Sequence, residues 1–262
     1  VAVSLILGIL IGAVLGLTGA GGGILAVPAL VFGMGWSMQQ AAPVALIAVV
    51  AGAAIGAFEG LQRKLVRYRA ALLMAVVGAS VTPLGYRLAQ VLPQRWLTAL
   101  FALVMLVVAL RLLRKGHETM GAHAHKLGSI NPDTGRFHWN LPTALLLAAI
   151  GAFTGFMTGL LGVGGGFVMV PMLRRFTNVS MHGIVATSLL VIALVGSAGV
   201  LTALSHGGLA STQVTLLFAA TTVLGMLLGR FLARHLSEHH VQYGFATILV
   251  LVAGSLLVKS FT

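Results

Sequence analysis

Two runs of three glycines, Gly21-Gly22-Gly23 and Gly164-Gly165-Gly166, stand inside otherwise apolar sequence. Backbone bared by glycine cannot be solvated by hydrocarbon, so each run must be buried in protein or line a polar cavity. A glycine-rich turn that feeds a helix leaves unpaired N–H groups and the positive end of the helix dipole facing whatever fills that cavity. The chemistry this offers is the holding of a small anion by uncharged donors. Hydroxyls stand close by in the sequence: Thr18 and Thr158 beside the runs, and Thr187 with Ser188 near the start of a later helix. The candidate binding set is therefore Thr18, Gly21, Gly22, Gly23, Gly164, Gly165, Gly166, Thr187 and Ser188. The competing reading is that the turns serve packing alone and the hydroxyls bond local carbonyls.

Other chemistries are disfavoured. Neither run is followed by Gly-Lys-Ser/Thr, and the third glycine of a dinucleotide fold is missing, which argues against nucleotide binding. The four acidic residues, Glu59, Glu118, Asp133 and Glu238, all fall in loops or at helix ends, which argues against a carboxylate proton relay, a metal-cation path or two-carboxylate hydrolysis. The chain has no cysteine, so disulfides and thiolate sites are excluded. His117, His123 and His125 crowd one polar segment without a second cluster to close a metal site, and His206, His235, His239 and His240 lack an acid or nucleophile partner. No metal, cofactor or enzymatic role is expected. The net charge of +12 comes mostly from basic residues flanking apolar spans and reports topology rather than nucleic acid.

The elements that position these residues are membrane helices. At 58% hydrophobic and 8% charged residues, with a mean hydropathy of +1.04, the 262-residue chain lies far outside soluble usage. Apolar stretches long enough to cross a bilayer recur along it, and Val1 is expected to follow a removed start. Periodicity and length predict helices over 3–18, 24–35, 41–58, 70–91, 96–113, 141–160, 167–177, 183–204, 210–233 and 241–258. From Gly8 to Leu30, 11 of 23 positions are identical to those 143 residues later, including all three consecutive glycines and Pro28/Pro171. The chain reads as a duplicated unit. Residues 1–115 form the first membrane repeat, 116–140 a cytoplasmic linker and 141–262 the second repeat.

Basic residues orient the repeats. Arg63, Lys64, Arg67 and Arg69 place the 59–69 loop inside. The linker, Arg174 with Arg175, and the 230–240 turn follow them, while 37–40 and 205–211 fall outside together with both chain ends. Equivalent loops thus lie on opposite sides. The predicted fold is all-α and polytopic, with two inverted-topology repeats, each a glycine-broken helical hairpin plus three transmembrane helices. The second hairpin arm, about a dozen residues, is too short to span, which favours a half-membrane hairpin. Gly8, Gly12 and Gly16, like Gly151, Gly155 and Gly159, form smooth stripes for close helix packing. Arg87 and Arg230, at nearly equivalent positions near the ends of crossings, are expected to snorkel.

These residues resemble the TauE/SafE sulfite exporter family, through the paired Gly-x-Gly-Gly-Gly turns leading to Val-Pro (Gly19 to Leu30, Gly162 to Leu173) and through Val185-Ala-Thr-Ser-Leu-Leu190. The first half carries Ala42-Pro43-Val44-Ala45 where the family pattern has Ala-Thr-Ser. The resemblance covers nearly the whole chain and implies a multi-pass bacterial inner-membrane permease exporting sulfite, a sulfonate or another small sulfur anion. The expected partners are that anion and the lipid bilayer, with no nucleic acid; homo-oligomerisation is left open. A membrane assembly protein, in which the glycine stripes are packing surfaces and the linker docks a partner, is the rival reading.

Overall fold

The computed structural model describes residues 2–114, 139–206, 212–233 and 238–261. Their helices are α1 (Ala2–Thr18), a 3-10 helix (Gly19–Leu25), α2 (Ala26–Gly33), α3 (Met38–Gln62), α4 (Tyr68–Val91), α5 (Gln94–Arg114), α6 (Leu141–Leu161), α7 (Gly166–Phe176), α8 (Met181–Ser205), α9 (Thr212–Ala233) and α10 (Glu238–Phe261). The expected helices are all present, and the chain is all-α. Among the described residues, seven helices are long and apolar enough to cross a membrane. The 8-residue α2 and the 11-residue α7 rise only ~12 and ~16 Å, well short of the ~30 Å hydrocarbon core. The linker and its three histidines lie outside the described residues.

Local chemistry sets the helix ends. α3 starts three residues earlier than apolar periodicity predicts because Ser37 and Gln40 form a reciprocal capping box. Ser180 likewise accepts from the Gly183 amide and starts α8. Gly162, at φ +70°, ends α6 in the left-handed conformation that glycine adopts without a Cβ penalty.

Both glycine stripes close helix pairs, and both pairs join the two sequence halves. α1 runs parallel to α9: β-carbons at Gly8, Gly12 and Gly16 would meet the carbonyl oxygens of Phe218, Thr222 and Met226 in turn. α6 runs parallel to α4 in the same way, with Gly151, Gly155 and Gly159 against the carbonyls of Met74, Gly78 and Thr82. In lipid, apolar burial does not drive helices together, so such backbone approach supplies the van der Waals contact that does. At the centre α3 and α8 are antiparallel, with Gly60 on Ala186, Gly56 on Leu189 and Gly196 on Val50. α5 packs on α10, where the Gln242 amide donates to the Leu112 carbonyl. The described parts of the two sequence halves are therefore interlaced rather than separate lobes.

The outward surface is apolar, as lipid demands: Phe58, Leu72, Val76, Val91, Leu201 and Leu251 are all more than half exposed. The α3–α4 and α7–α8 turns share one face, where a β-carbon at Gly183 would lie 3.4 Å from the Leu65 carbonyl oxygen. This basic face carries Arg63, Arg67, Arg174, Arg175 and Arg230. On the opposite face Gln39 reaches the Leu92 carbonyl.

Gly155→Ala is expected to destabilise the detergent-purified protein by several degrees, because its methyl would land on the Gly78 backbone. Gly254→Ala, with nothing within 4 Å, should be neutral or slightly stabilising, since alanine outranks glycine in a helix by about 1 kcal/mol. Equal melting temperatures for the two variants would contradict the stripe packing.

Candidate functional site

The two glycine runs adopt different structures. In the first, Gly19–Leu25 is a continuous 3-10 helix in which the Ala26 amide donates to the Gly23 carbonyl. Such i→i+3 bonding engages most of its amides. Only Gly19 there has positive φ, +72°. Gly22 is needed for space instead, since its β-carbon would lie 2.5 Å from the Leu15 Cα. In the second run Gly162, Gly164 and Gly165 have φ between +64° and +71°, and α7 starts at Gly166. Gly165 is its N-cap and offers no side-chain cap; its carbonyl accepts from the Val168 and Met169 amides, which leaves the Gly166 and Phe167 amides as the donors of the helix start. The left-handed turn lies in the second half alone.

The runs nonetheless converge. A β-carbon at Gly23 would lie 3.4 Å from the Val163 carbonyl oxygen, and β-carbons at Gly23 and Gly164 would each lie 3.1 Å from Val49 Cγ1. Buried Val49 and Ile192 line their meeting place. One face of α8 runs past it: Val185 meets Gly19 and Ile192 meets Gly164, and Ser188 stands between them at i+3 and i−4.

Ser188 is fully buried and its Oγ has no hydrogen-bond partner; the same is true of Thr154 on α6, whose methyl abuts Gly165. This separates them from Thr18, Thr82, Thr158, Thr202 and Thr222, each of which donates to the carbonyl four residues back. A buried hydroxyl left without a partner costs about 1–3 kcal/mol, so each of these two would gain from a polar partner. Sequence reasoning missed Thr154. Its only signal was its spacing of four from Thr158 beside a glycine run.

Thr187 is placed elsewhere. Its Oγ1 accepts from the Arg67 amide at 3.0 Å, on the face of α8 turned toward the start of α4, so its visible role is to fasten the α3–α4 turn. Thr18 lies beside Gly22 with its hydroxyl bonded to the Val14 carbonyl.

A small cleft of about 20 Å3, room for about one water and partly open to solvent, enters from the face opposite the basic one between α3, α4, α6 and α8. Gln39, Tyr86 and Gln90 line it, and it ends at Thr158, Gly159 and Gly162. Thr158 also borders Gly165, 3.1 Å from where a β-carbon there would lie, so the cleft leads to the second glycine turn. Among the described residues no group of three metal-ligating side chains comes together.

Short broken helices converging inside a bundle of membrane-length helices, with a cleft running to the break, make this a multi-pass membrane transporter. Residues 4–256 match the sulfite exporter TauE/SafE family, and the chain belongs to it. A probable membrane transporter protein of Xylella fastidiosa (strain 9a5c) is 30% identical over 249 residues, covering 93% of this chain and 90% of the relative. The probable membrane transporter protein YunE of Bacillus subtilis (strain 168) is 25% identical over 265 residues, covering 96% and 95%. No solved structure matches the chain significantly.

Proposed function

We propose that this transporter exports a small sulfur oxyanion or sulfonate, such as sulfite, across the bacterial inner membrane, binding it at the midplane where the two glycine breaks converge. The observation that carries this reading is the pair of partnerless buried hydroxyls, Thr154 against Gly165 at the start of α7 and Ser188 on α8 one turn before Ile192, which meets Gly164. An oxyanion accepts from hydroxyls and amides at once and would satisfy all of them. The family's description supplies the substrate class.

The antiparallel run of the equivalent helices α3 and α8 supports an inverted repeat. Given the interlaced packing, alternating exposure would part the α1–α9 pair from the α4–α6 pair across the α3–α8 crossing. Sequence positions 1–115 and 141–262 would not move as blocks.

Purified protein in liposomes tests the function, with sulfite, thiosulfate, sulfoacetate, taurine, sulfate and simple carboxylates offered in turn. Sulfur oxyanions or sulfonates should be bound and moved without any partner protein. No flux of any of them would end the reading. A monovalent anion leaving a negative interior gains roughly 2.3 kcal/mol per 100 mV, so flux should follow an imposed potassium-valinomycin potential. Dependence on a proton or sodium gradient alone would contradict voltage-driven export.

For topology, single cysteines at Ser37, Gln62, Arg175 and Ser211 can be introduced into a chain that has none. An impermeant thiol reagent in intact cells should label positions 37 and 211 and spare 62 and 175. The reverse pattern would invert the direction assigned to the carrier.

A further inference from the structure

The α4–α6 seam beside the cleft and the α1–α9 seam near the first glycine break are not alike. The stripe contacts set their correspondence: the Tyr86 amide nitrogen would lie 2.8 Å from a β-carbon at Gly159, and the Arg230 amide nitrogen 2.8 Å from one at Gly16. Arg230 therefore takes in one half the place that Tyr86 takes in the other. Arg87, which linear spacing pairs with Arg230, is exposed.

The Arg230 guanidinium reaches from α9 across to α3. It lies over Gly56, where any side chain would strike Nη2, and donates to Glu59 Oε2 at 2.5 Å. The other Glu59 oxygen pairs with Arg63 at 2.7 Å, so one carboxylate serves two guanidiniums and the cluster keeps a net positive charge. The same β-carbon at Gly56 would lie 2.7 Å from Leu189, the residue after Ser188. The Arg230 side chain is 26% exposed, between solvent on the basic face and the proposed binding place.

We propose that Arg230 is a substrate-binding residue on the basic face, where it exchanges the Glu59 carboxylate for the incoming anion. This assignment rests on the transport reading above and extends it. A guanidinium takes a carboxylate and a sulfur oxyanion by the same two-pronged geometry, so Glu59 occupies Arg230 in the empty carrier and yields to substrate. Tyr86 in the opposite cleft offers no such charge. Capture on the basic face and release on the other follow from that difference.

The test is equilibrium binding of sulfite, or of the tightest-bound anion in the screen, to the purified wild type and to Arg230→Gln, Arg230→Lys and Glu59→Gln. Arg230→Gln should weaken binding roughly tenfold or more and Arg230→Lys less. Glu59→Gln should tighten it about threefold, because the competing carboxylate is gone. Parallel weakening by Arg230→Gln and Glu59→Gln would make the pair a structural brace and overturn the assignment, as would unchanged affinity in Arg230→Gln. If Arg230→Gln does not fold, the opposite signs expected of Arg230→Lys and Glu59→Gln decide. A wild type that binds and moves no screened anion removes the transport reading itself, and this assignment with it.

Discussion

Gly165→Ala is expected to abolish anion flux. Gly165 sits at φ +64°, a conformation that costs an L-residue about 1–2 kcal/mol, and its β-carbon would lie 2.9 Å from the Thr154 carbonyl oxygen and 3.1 Å from Thr158 Oγ1. Relief of that clash must push α7 away from α6, which moves the helix start and both threonines relative to one another. Gly22→Ala should also stop transport, through collision with the α1 backbone at Leu15 rather than through φ. Size-exclusion profile and melting temperature must be followed beside flux, since lost packing would mimic a lost site. If both variants fold and keep wild-type flux and affinity, the glycine cradle is not where the anion binds.

Ser188→Ala and Thr154→Val should move stability and function in opposite directions. Each removes a buried hydroxyl that has no partner within the protein, so each should leave the unliganded melting temperature unchanged or raise it. Each also removes a donor to the bound anion and should weaken its affinity about tenfold. Because both donors would face one guest, the double variant should fall short of the product of the two effects. Unaltered affinity in Ser188→Ala would remove the strongest support for the site. Lower unliganded stability in either variant would show that these hydroxyls serve the fold.

The helices were legible in the sequence because apolar runs bounded by basic loops admit little else in a bilayer. Their partners were not. Gly8, Gly12 and Gly16 say that α1 is closely approached but not by which helix, and the answer, α9, lies in the other repeat. The two glycine runs share one spelling yet fold as a 3-10 helix and as a left-handed turn, since glycine permits both and the neighbours choose. Gly22 closes on Leu15, while Gly165 closes on Thr154. Thr187 and Ser188 are adjacent in sequence, but a helix turns about 100° per residue, so one fastens the Arg67 loop and the other faces the glycine breaks. Thr154 was invisible because its distinguishing feature is a missing bond, which only three-dimensional packing reveals.

The interlacing of the repeats also bears on how the chain is made. Gly151 of α6 meets Met74 of α4, so that pair can close as soon as α6 leaves the ribosome. Gly8 of α1 must wait for Phe218 of α9, and at about 5–20 residues per second those 210 residues take roughly 10–40 s to synthesise. For that interval α1 sits in the membrane with its glycine groove facing lipid or an insertion chaperone. Cotranslational assembly thus runs out of sequence order, the α4–α6 seam forming first and the oldest helix docking near the end. Nascent chains arrested before α9 should accordingly leave α1 open to proteolysis or crosslinking while α4 and α6 are already protected.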